Sequence, residues 1–323
     1  MTQPRTTDAS STEIDRAAAI IRAGGLVAFP TETVFGLGAD ATNPTAVAKI
    51  YATKQRPEFN PLIIHTPDVD SAAQLGRLSK PALRLAEVFW PGPLTLVVMK
   101  RPDAGIAEIA VAGLPTVALR IPDHAIAQAL LRAADRPIAA PSANRSGRVS
   151  ATRASHVADD FGSNVDLILN DPETPRGLES TIVDVTGDEP AILRVGAITQ
   201  ESIARLFDGN IEIGPAPALP SAPGQLSSHY APSCPVRMNV TQVREGEVLL
   251  AFGTDVPAHS CPAINLSPTG DLVEAASRLF AALRELDQPG ARAIAIMPIP
   301  NDGLGAAIND RLRRAAAPRP MVD

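Results

Sequence analysis

The sequence predicts an α/β protein with two domains, and three observations support this fold class. Short apolar runs of strand length alternate with helical patterns through about residue 207. A proline-rich stretch at 214–224 excludes a helix or a central strand and therefore marks a linker. Alternating strand and helix patterns then resume. We expect a disordered N-terminus at 1–10, a first domain at 11–208, a linker at 209–235 and a second, smaller domain at 236–323.

The first domain begins with a helix followed by a buried strand. Ser10 and Glu13 have the spacing of a capping box, and apolar residues recur on one face of the helix that follows. Gly24 and Gly25 end this helix before the apolar run at 26–29. The same reasoning predicts helices near 45–53, 81–89, 123–134 and 199–207, and strands at 62–65, 94–99 and 117–121 and near Ile138, Leu167, Ile182 and Ile192.

The second domain repeats this alternation over a shorter length. Strands are predicted at 248–253, 263–266 and 293–297, and helices at 271–287 and 304–316. This pattern indicates a compact three-layer, Rossmann-like unit. Its first strand is not followed by a GxGxxG turn, so we assign it no dinucleotide.

Composition limits the possible partners. The formal net charge of -6 argues against a broad basic surface for nucleic acid, so any RNA contact should be local or transient. The sequence has no apolar stretch of about 20 residues and starts with polar residues, so we expect a cytoplasmic protein with no membrane contact. Cys234 and Cys261 are too far apart for a zinc knuckle and are interpreted as structural thiols.

Two cations and two small polar residues predict a site for a phosphorylated ligand. Lys54 and Arg56 precede the apolar run at 62–65, and Ser142 and Asn144 follow the run at 138–141. Both pairs are therefore expected in non-helical positions at strand edges. A lysine supplies a point charge and an arginine a planar fork for phosphate oxygens. Taken alone, each pair is also explained by a solvated surface or a turn.

Several separated motifs agree in order with one known family. They are PTETVFGLG at 30–38, the Lys54 and Arg56 pair, NPL at 60–62, FWPGPLT at 89–95, PSANRSG at 141–147, GLESTIVD at 177–184, ILRVG at 192–196, PGQ at 223–225, HYAP at 229–232 and GLGAAINDR at 303–311. Together they resemble the YrdC-type L-threonylcarbamoyladenylate synthases, in the long, two-domain form. The resemblance covers nearly the whole chain. It implies a YrdC-like twisted mixed sheet with helices, followed by the smaller Rossmann-like domain.

The resemblance also implies a nucleotidyltransferase. Such an enzyme condenses L-threonine, bicarbonate and ATP into threonylcarbamoyl-AMP and pyrophosphate, and a downstream transferase uses the adenylate to modify tRNA. A carbamate has to attack the α-phosphorus, so the protein must hold two anions together, and cations matter more than a nucleophile. We expect Mg²⁺ to arrive on the ATP phosphates, with unknown protein ligands.

Site residues follow from the same resemblance. Lys54 and Arg56 are the implied catalytic residues. The implied ATP-binding residues are Arg56, Asn60, Thr116, Ala140, Ser142, Asn144, Ser150, Arg194 and Tyr230, and the implied threonine-binding residues are Thr33, His65, Arg120 and Ser180. Independently, Arg194 lies in an apolar strand and needs an anionic partner, and Arg120 ends a strand where it suits a carboxylate. His65 is equally well explained as a capped strand end. Glu32 is a candidate acid or base, or it orients its loop.

Some features leave alternatives open. Gln55 stands where the family often has glycine, and residues 225–228 replace a more basic run, which puts basic contacts from those positions in doubt. His229 and Tyr230 fit a lid over the nucleotide, although Tyr230 packing on the second domain is as consistent with the sequence.

The alternative function is an RNA-binding module or a tRNA-modification assembly factor. A positive loop with Arg145, Arg148 and Arg153 would serve it, but the acidic total disfavours it. A carbamoyl-phosphate-dependent maturation factor would need zinc-finger cysteines and an acylphosphatase unit, which this sequence lacks.

Overall fold

The computed structural model describes residues 5–171, 174–209, 211–214 and 228–318. The first domain is a large mixed sheet with strand order β1-β9-β2-β3-β8-β4-β7-β6-β10-β11-β12, and β5 pairs with β6. Its strands are β1 Thr6–Asp8, β2 Val27–Phe29, β3 Gly36–Asp40, β4 Ile63–His65, β5 Gly76–Arg77, β6 Leu94–Lys100, β7 Thr116–Arg120, β8 Ile138–Ala139, β9 Leu167–Asn170, β10 Thr181–Asp184, β11 Ala191–Arg194 and β12 Glu212–Ile213. Parallel and antiparallel pairs both occur, as the expected mixed sheet requires.

Within the described ranges, seven α-helices accompany this sheet. They are α1 Ser11–Arg22, α2 Pro44–Lys54, α3 Val69–Leu75, α4 Lys80–Phe89, α5 Ala125–Ala134, α6 Ala154–Phe161 and α7 Gln200–Ala204. Short 3₁₀ helices lie at Glu108–Val111 and Gly162–Asn164. The cap of α1 is the predicted one, because the side chain of Ser10 accepts a hydrogen bond from the backbone N–H of Glu13. Sequence patterns predicted α1, α2, α4, α5 and α7, but not α3 and α6.

The N-terminus is more ordered than expected. Thr6–Asp8 forms β1 and pairs in parallel with β9, with Thr6 opposite Ile168. The expectation of disorder through residue 10 is therefore wrong for this strand. The physical reason is that β9 would otherwise be a sheet edge with unpaired backbone groups, which the polar segment can pair without apolar side chains.

The two faces of the sheet are covered differently. Helices α2, α3 and α4 pack on one face, where Ile64 of β4 joins the main core. Helices α1 and α5 pack on the other face over β2, β8 and β9. Because side chains alternate along a strand, Ile63 and His65 point away from the main core. A small apolar group on this second face, outside the cluster that α1 and α5 form, consists of Ile63, Val97, Ala118 and Ile182. This part of the second face positions the candidate site.

The second domain contains a four-stranded parallel sheet. Its elements are β13 Val236–Arg237, β14 Glu247–Ala251, β15 Ala263–Asn265, α8 Leu272–Leu286, β16 Ala293–Ile296 and α9 Leu304–Ala316, with strand order β13-β16-β14-β15. Both helices pack on the same face, against Leu250 and Ile296. The opposite face, with Leu249 and Ala295, is covered by side chains of irregular segments, such as Val240 and Val256. The predicted three-layer arrangement is therefore corrected to a sheet with one helical layer.

The two domains share one hydrophobic cluster. Val149 and Leu178 of the first domain belong to the same buried group as Phe280 of α8. The contact is close, because a side chain at Gly177 would place its Cβ 2.3 Å from the carbonyl oxygen of Ser277. Only glycine fits there, and a φ of +64° adds to that requirement. The interface is thus a packed core rather than a loose tether.

Most of the expected linker lies outside the described residues, including all of 215–227. The described end of it, Ser228 to Pro235, runs along the domain boundary, where the backbone N–H of Ala231 donates to the carbonyl of Gly147. Within the described ranges, we find no helix with the length and apolar character needed to cross a membrane.

Candidate active site

A cavity lies where the uncovered part of the large sheet meets the second domain. The chain segments around it are the loop between β2 and β3, the ends of β4 and β7, the loop after β8, the segment before β10 and the described end of the linker. Its lining residues are Thr31, Val34, Phe35, Gly36, Arg56, Ile63, His65, Arg120, Ala140, Pro141, Ser142, Glu179, Ser180, Arg194, His229 and Tyr230. Three arginines and one carboxylate in this lining make the cavity positive in an acidic chain.

Two hydroxyls shape the loop between β2 and β3. Thr31 Oγ1 donates to the carbonyl of Val34 at 2.7 Å and accepts from the backbone N–H of Thr33. The hydroxyls of Thr31 and Thr33 are also 2.8 Å apart. This turn closes without help from solvent, because Thr31 and Thr33 are both buried. It therefore holds Thr33 beside the end of β7.

Arg120 ends β7 and connects this loop to the sheet. Its Nη2 donates to Thr33 Oγ1 at 2.8 Å and lies 2.8 Å from Glu32 Oε1. Its Nε is buried without a hydrogen-bond partner among the described residues. Arg120 is thus held from one side by protein groups and retains donor capacity toward the cavity.

His65 lies at the end of β4, opposite Arg120 in the parallel pair. Burial, together with the nearby positive charge of Arg120, lowers the pKa of His65 to about 3. The imidazole is therefore neutral at physiological pH, and its Nδ1 has no partner among the described residues. A neutral ring with an unused nitrogen in a cavity is suited to a hydroxyl ligand.

Arg56 follows α2 and lines the other end of the cavity. Its Nε donates to the carbonyl of Asn60 at 3.1 Å and its Nη2 to the carbonyl of Pro61 at 2.9 Å. Burial lowers the pKa of Arg56 to about 10, which leaves it charged at neutral pH. The side-chain amide of Asn60 is buried with neither its nitrogen nor its oxygen hydrogen-bonded within the described ranges.

Lys54 occupies a different environment from the one expected. It is the last residue of α2, and Gln55 ends the helix with a left-handed φ of 52°. The prediction of a non-helical strand-edge position for Lys54 is therefore wrong, because the helical pattern continues to it. The left-handed cap also explains why glycine suits position 55.

The ammonium of Lys54 anchors the loop after β8. It donates to the carbonyl of Ser142 at 2.6 Å and also to the carbonyl of Asn144. Lys54 is 1% exposed, and burial, with Arg56 nearby, lowers its pKa well below the usual value. Its role in this structure is therefore to fix the loop after β8.

Arg194 ends β11 and is held against the segment before β10. Its Nη2 donates to the carbonyl and to the hydroxyl of Ser180, at 2.9 and 3.1 Å. Ser180 Oγ is in turn 2.7 Å from Thr95 Oγ1 on β6. The chain can approach this closely because Gly196 has no side chain; its Cβ would lie 2.4 Å from the carbonyl oxygen of Glu179. Burial lowers the pKa of Arg194.

Glu179 joins the cavity to the second domain. Its Oε1 accepts from Ser150 Oγ at 2.7 Å, and its Oε2 accepts from Arg311 Nε of α9 at 2.9 Å. The Arg311 guanidinium also lies 5.3 Å from the centre of the Tyr230 ring, which stacks on Phe280. Arg311 is 0% exposed. The C-terminal domain therefore supports two lining residues of the cavity, Glu179 and Tyr230, from behind.

Unpartnered polar atoms concentrate at this place. Among the described residues, buried side-chain atoms without a hydrogen bond include His65 Nδ1, Arg120 Nε, Asn144 Oδ1 and His229 Nδ1. Buried polar groups are almost always hydrogen-bonded in native proteins, so such a cluster indicates that a ligand completes them. The geometry points to an anionic ligand with several hydrogen-bonding groups.

The structure brings together most of the residues that the sequence singled out. Eight of them line the cavity: Arg56, Ala140, Ser142, Arg194, Tyr230, His65, Arg120 and Ser180. Lys54, Asn60, Asn144, Ser150 and Thr33 lie behind this lining and contact it or its backbone. Thr116 does not line the cavity. It lies at the other end of β7 from Arg120, on the same face of the strand.

Sequence reasoning missed three contributors, namely Thr31, Glu179 and Arg311, and left His229 unassigned to a ligand. Arg311 carried a usable signal, because its helical spacing from Ile308 and Ala315 places a charge on the apolar face of α9. Glu179 had a weaker signal as a lone carboxylate between apolar residues.

The arginines of the predicted basic patch for RNA bond to other groups of the protein. Arg145 Nε donates to the carbonyl of Asp160 at 2.9 Å, and Arg148 Nη2 donates to Ser233 Oγ at 2.6 Å. Arg153 also has an interaction partner. These arginines brace the loop after β8 and the linker end.

We find no group of three or more histidine, cysteine, aspartate or glutamate side chains placed to hold a metal ion in the described part of the chain. Of the two carboxylates nearest the cavity, Glu32 pairs with Arg120, and Glu179 is bonded to Ser150 and Arg311.

Two family models match consecutive parts of the chain. A family described as telomere recombination, Sua5_yciO_yrdC, matches residues 19–196. A second, described as the threonylcarbamoyl-AMP synthase C-terminal domain, matches residues 198–317. The two matches meet at residues 196–198, just before α7.

Individual proteins are similar over almost the full length. The threonylcarbamoyl-AMP synthase of Pyrococcus abyssi is 42% identical, with 94% of each chain covered, and that of Bacillus subtilis is 39% identical, with 95% of this chain and 94% of the other covered. A crystal structure of P. abyssi Sua5 complexed with L-threonine has a TM-score of 0.88 and 38% identity and covers 98% of this chain and 97% of that one. Escherichia coli YciO, at 23% identity and a TM-score of 0.54, shares the fold over 61% of this chain and 96% of its own.

Proposed function

The chain belongs to the Sua5_yciO_yrdC family and is a threonylcarbamoyl-AMP synthase, and we propose that it assembles its product from ATP, L-threonine and bicarbonate in the cavity described above. The observation that carries this proposal is the set of three buried arginines, Arg56, Arg120 and Arg194, lining one cavity of an acidic chain. Three buried cations that converge on one cavity favour a polyanionic ligand.

Threonine occupies the end of the cavity formed by Arg120, His65 and Ser180. The guanidinium of Arg120 binds the substrate carboxylate with the donors that Thr33 and Glu32 leave free. The neutral His65 ring receives the side-chain hydroxyl, which supplies a partner for its unused Nδ1. The threonine-bound structure of P. abyssi Sua5 supports threonine as the ligand class.

ATP occupies the end formed by Arg56 and Arg194. The unpaired amide of Asn60 binds the nucleotide, and the loop at Ser142–Asn144, fixed by Lys54, lies along the triphosphate. Arg56 and Arg194 neutralise phosphate charge, and Ser150 and Tyr230 complete this end of the site. The apolar group of Ile63, Val97, Ala118 and Ile182 provides a floor on the sheet.

The chemistry then proceeds in two balanced steps. The threonine amine attacks bicarbonate, a C–N bond forms, and water leaves to give the carbamate. A carbamate oxygen attacks the α-phosphorus of ATP, the bond to the β-phosphate bridging oxygen breaks, and pyrophosphate leaves. The cations of the cavity stabilise the charge that moves onto the leaving pyrophosphate. Holding the two anions in the reactive orientation supplies the remaining rate acceleration.

Magnesium is proposed to enter with the ATP phosphates. Because Glu32 and Glu179 are already paired, we assign no protein carboxylate to the ion and route no step through it.

His229 and Tyr230 are proposed to close the cavity over the substrates. Both are buried and line it from the side of the linker. The product is a mixed anhydride that water hydrolyses, so a closed wall protects it until release. We propose that it passes to a downstream threonylcarbamoyl transferase in the cytoplasm, with at most transient contact between this protein and tRNA.

The test is substrate dependence. The purified protein should release pyrophosphate from ATP and Mg²⁺ only when L-threonine and bicarbonate are both present. Pyrophosphate release that is unchanged when either one is omitted would rule out the proposed condensation.

A further inference from the structure

We propose that Arg311 of the second domain is a positioning residue for the nucleotide end of the cavity, acting through Glu179 and Tyr230. This inference rests on the function proposed above. It assigns the C-terminal domain a direct part in assembling the ATP site, beyond carrying the linker.

The first observation is the chain of bonds from α9 into the cavity. Arg311 Nε donates to Glu179 Oε2 at 2.9 Å, and Glu179 Oε1 accepts from Ser150 Oγ at 2.7 Å. Both carboxylate oxygens are thus committed, one to each domain. The orientation of the Ser150 hydroxyl is set by Glu179, and that of Glu179 by Arg311.

The second observation is the contact with Tyr230. The Arg311 guanidinium lies over the Tyr230 ring at 5.3 Å, and Phe280 of α8 stacks against that ring at 5.5 Å with 23° between the planes. Tyr230 is 1% exposed and has a left-handed φ of 61°. Two side chains of the second domain therefore hold a residue whose backbone conformation is costly for a non-glycine residue.

The third observation is that Arg311 is fixed by its own domain. Its Nη1 is 2.8 Å from Asp310 Oδ2, and Asp310 also binds Arg314. Arg311 is 0% exposed. A rigid guanidinium with a planar fork can hold a carboxylate and a ring at once, which a lysine ammonium cannot do.

A second contact, made by Arg284, also connects the C-terminal domain to the nucleotide end of the cavity. Arg284 of α8 donates from Nη2 to the carbonyl of Val149 at 2.6 Å and pairs with Asp160 at 2.7 Å. The backbone on the N-terminal side of Ser150 and its side-chain partner Glu179 are thus both braced from the second domain.

The experiment uses the full chain and the variants Arg311→Met and Arg311→Lys, with Arg313→Gln as the matched control. Arg313 is exposed on the same helix. ATP binding is measured directly by calorimetry with the Mg²⁺ complex of a non-hydrolysable ATP analogue, and KM for ATP and threonine by pyrophosphate release. Thermal unfolding reports the fold.

For Arg311→Met we expect the Kd for the analogue and the KM for ATP to rise at least 30-fold, while the KM for threonine changes less than threefold. Arg311→Lys should fold like the parent chain, with a Kd and a KM for ATP between those of the parent and those of Arg311→Met. Arg313→Gln should match the parent. If Arg311→Met fails to fold, Arg311→Lys carries the test with an expected rise of at least fivefold.

A double variant, Arg311→Met with Glu179→Gln, separates positioning from charge pairing. It removes the buried unpaired carboxylate, so stability should recover while ATP affinity stays low. ATP affinity restored to the parent value, or equal losses for ATP and threonine in the single variants, would overturn the inference. A parent chain that releases no pyrophosphate would instead count against the proposed function, since analogue binding still reports on Arg311.

Discussion

Arg120 Nη2 lies 2.8 Å from Glu32 Oε1 inside the protein, so the arginine proposed to bind the threonine carboxylate is already paired with a buried carboxylate. Both side chains are about 5% exposed or less. Glu32 therefore orients Arg120 before substrate arrives, and the substrate meets a preformed fork with Nε still unused.

Replacement of Arg120 by alanine should weaken threonine far more than ATP. A desolvated charge-assisted pair contributes about 3 kcal/mol, which corresponds to a rise in KM for threonine on the order of 100-fold. The KM for ATP should change less than threefold. Arg132→Ala, at an exposed arginine of α5, is the control for a lost surface charge. Equal losses for both substrates would place Arg120 at the nucleotide or in the fold.

Lys54→Met should lower both activity and stability. The substitution leaves the buried carbonyls of Ser142 and Asn144 without the ammonium donor, at a cost of about 1–3 kcal/mol for each. We expect a drop in the melting temperature of several degrees and a loss of turnover of at least 100-fold. Lys49 lies on the same helix as Lys54 and donates to the carbonyl of Gly24. Lys49→Met should therefore reduce stability and leave turnover unchanged. Normal turnover in Lys54→Met would refute the anchoring of the loop as a catalytic requirement.

Stability should fall as the pH decreases below about 6.5. Burial lowers the pKa of His65 to about 3 and that of His156 to about 4, while both are near 6.5 in the unfolded chain. Between these values the unfolded state binds more protons, so the free energy of unfolding rises with pH. Each histidine should account for about 1 kcal/mol lost between pH 7.5 and pH 5.5.

The measurement is urea unfolding across this pH range for the parent chain and for His65→Gln and His156→Gln. Each substitution should lower the slope of the free energy of unfolding against pH by the equivalent of about 0.5 to 1 bound proton. His124→Gln, at a less buried histidine paired with Asp171, serves as the comparison. An unchanged slope in both variants would mean that these histidines bind protons equally in the folded and unfolded states, so that their pKa is not lowered by folding.

The linker should become resistant to proteases when substrates bind. His229 and Tyr230 line the cavity, so ligands that fill it contact the linker end directly. We expect cleavage between Gly209 and Pro232 to slow at least tenfold with ATP and threonine together, and less with either alone. Cleavage at the same rate with saturating ligands would exclude the lid.

Local patterns predicted much of the fold. The N-cap at Ser10 and the apolar face of α1 are where the sequence placed them, because both depend on nearby residues; the reciprocal bond from Glu13 to the backbone of Ser10 is not formed, since that N–H donates to Asp8. β3 was missed, since Gly36–Asp40 contains two glycines and gains its strand conformation from β2 and β8. β1 was missed for the same reason, as only the exposed edge of β9 gives that polar segment a partner.

The site was predicted less completely. Local sequence singled out Arg56, Arg120 and Arg194, because each lies next to a recognisable motif or an apolar strand. The link between Glu179 and Arg311 spans 132 positions and exists only once the two domains pack. The anchoring role of Lys54 likewise depends on a loop 88 positions away, which no local pattern indicates.

Mass analysis of the product tests the central claim most directly. The protein is incubated with ATP, Mg²⁺, ¹³C-labelled bicarbonate and ¹⁵N-labelled threonine, and the quenched mixture is examined for a nucleotide adduct. The account predicts one product that contains the adenylate, one labelled carbon and one labelled nitrogen, and that is strongly reduced in Arg120→Ala and Arg56→Ala. An adenylate that carries threonine without the labelled carbon, or pyrophosphate release without any such adduct, would contradict it.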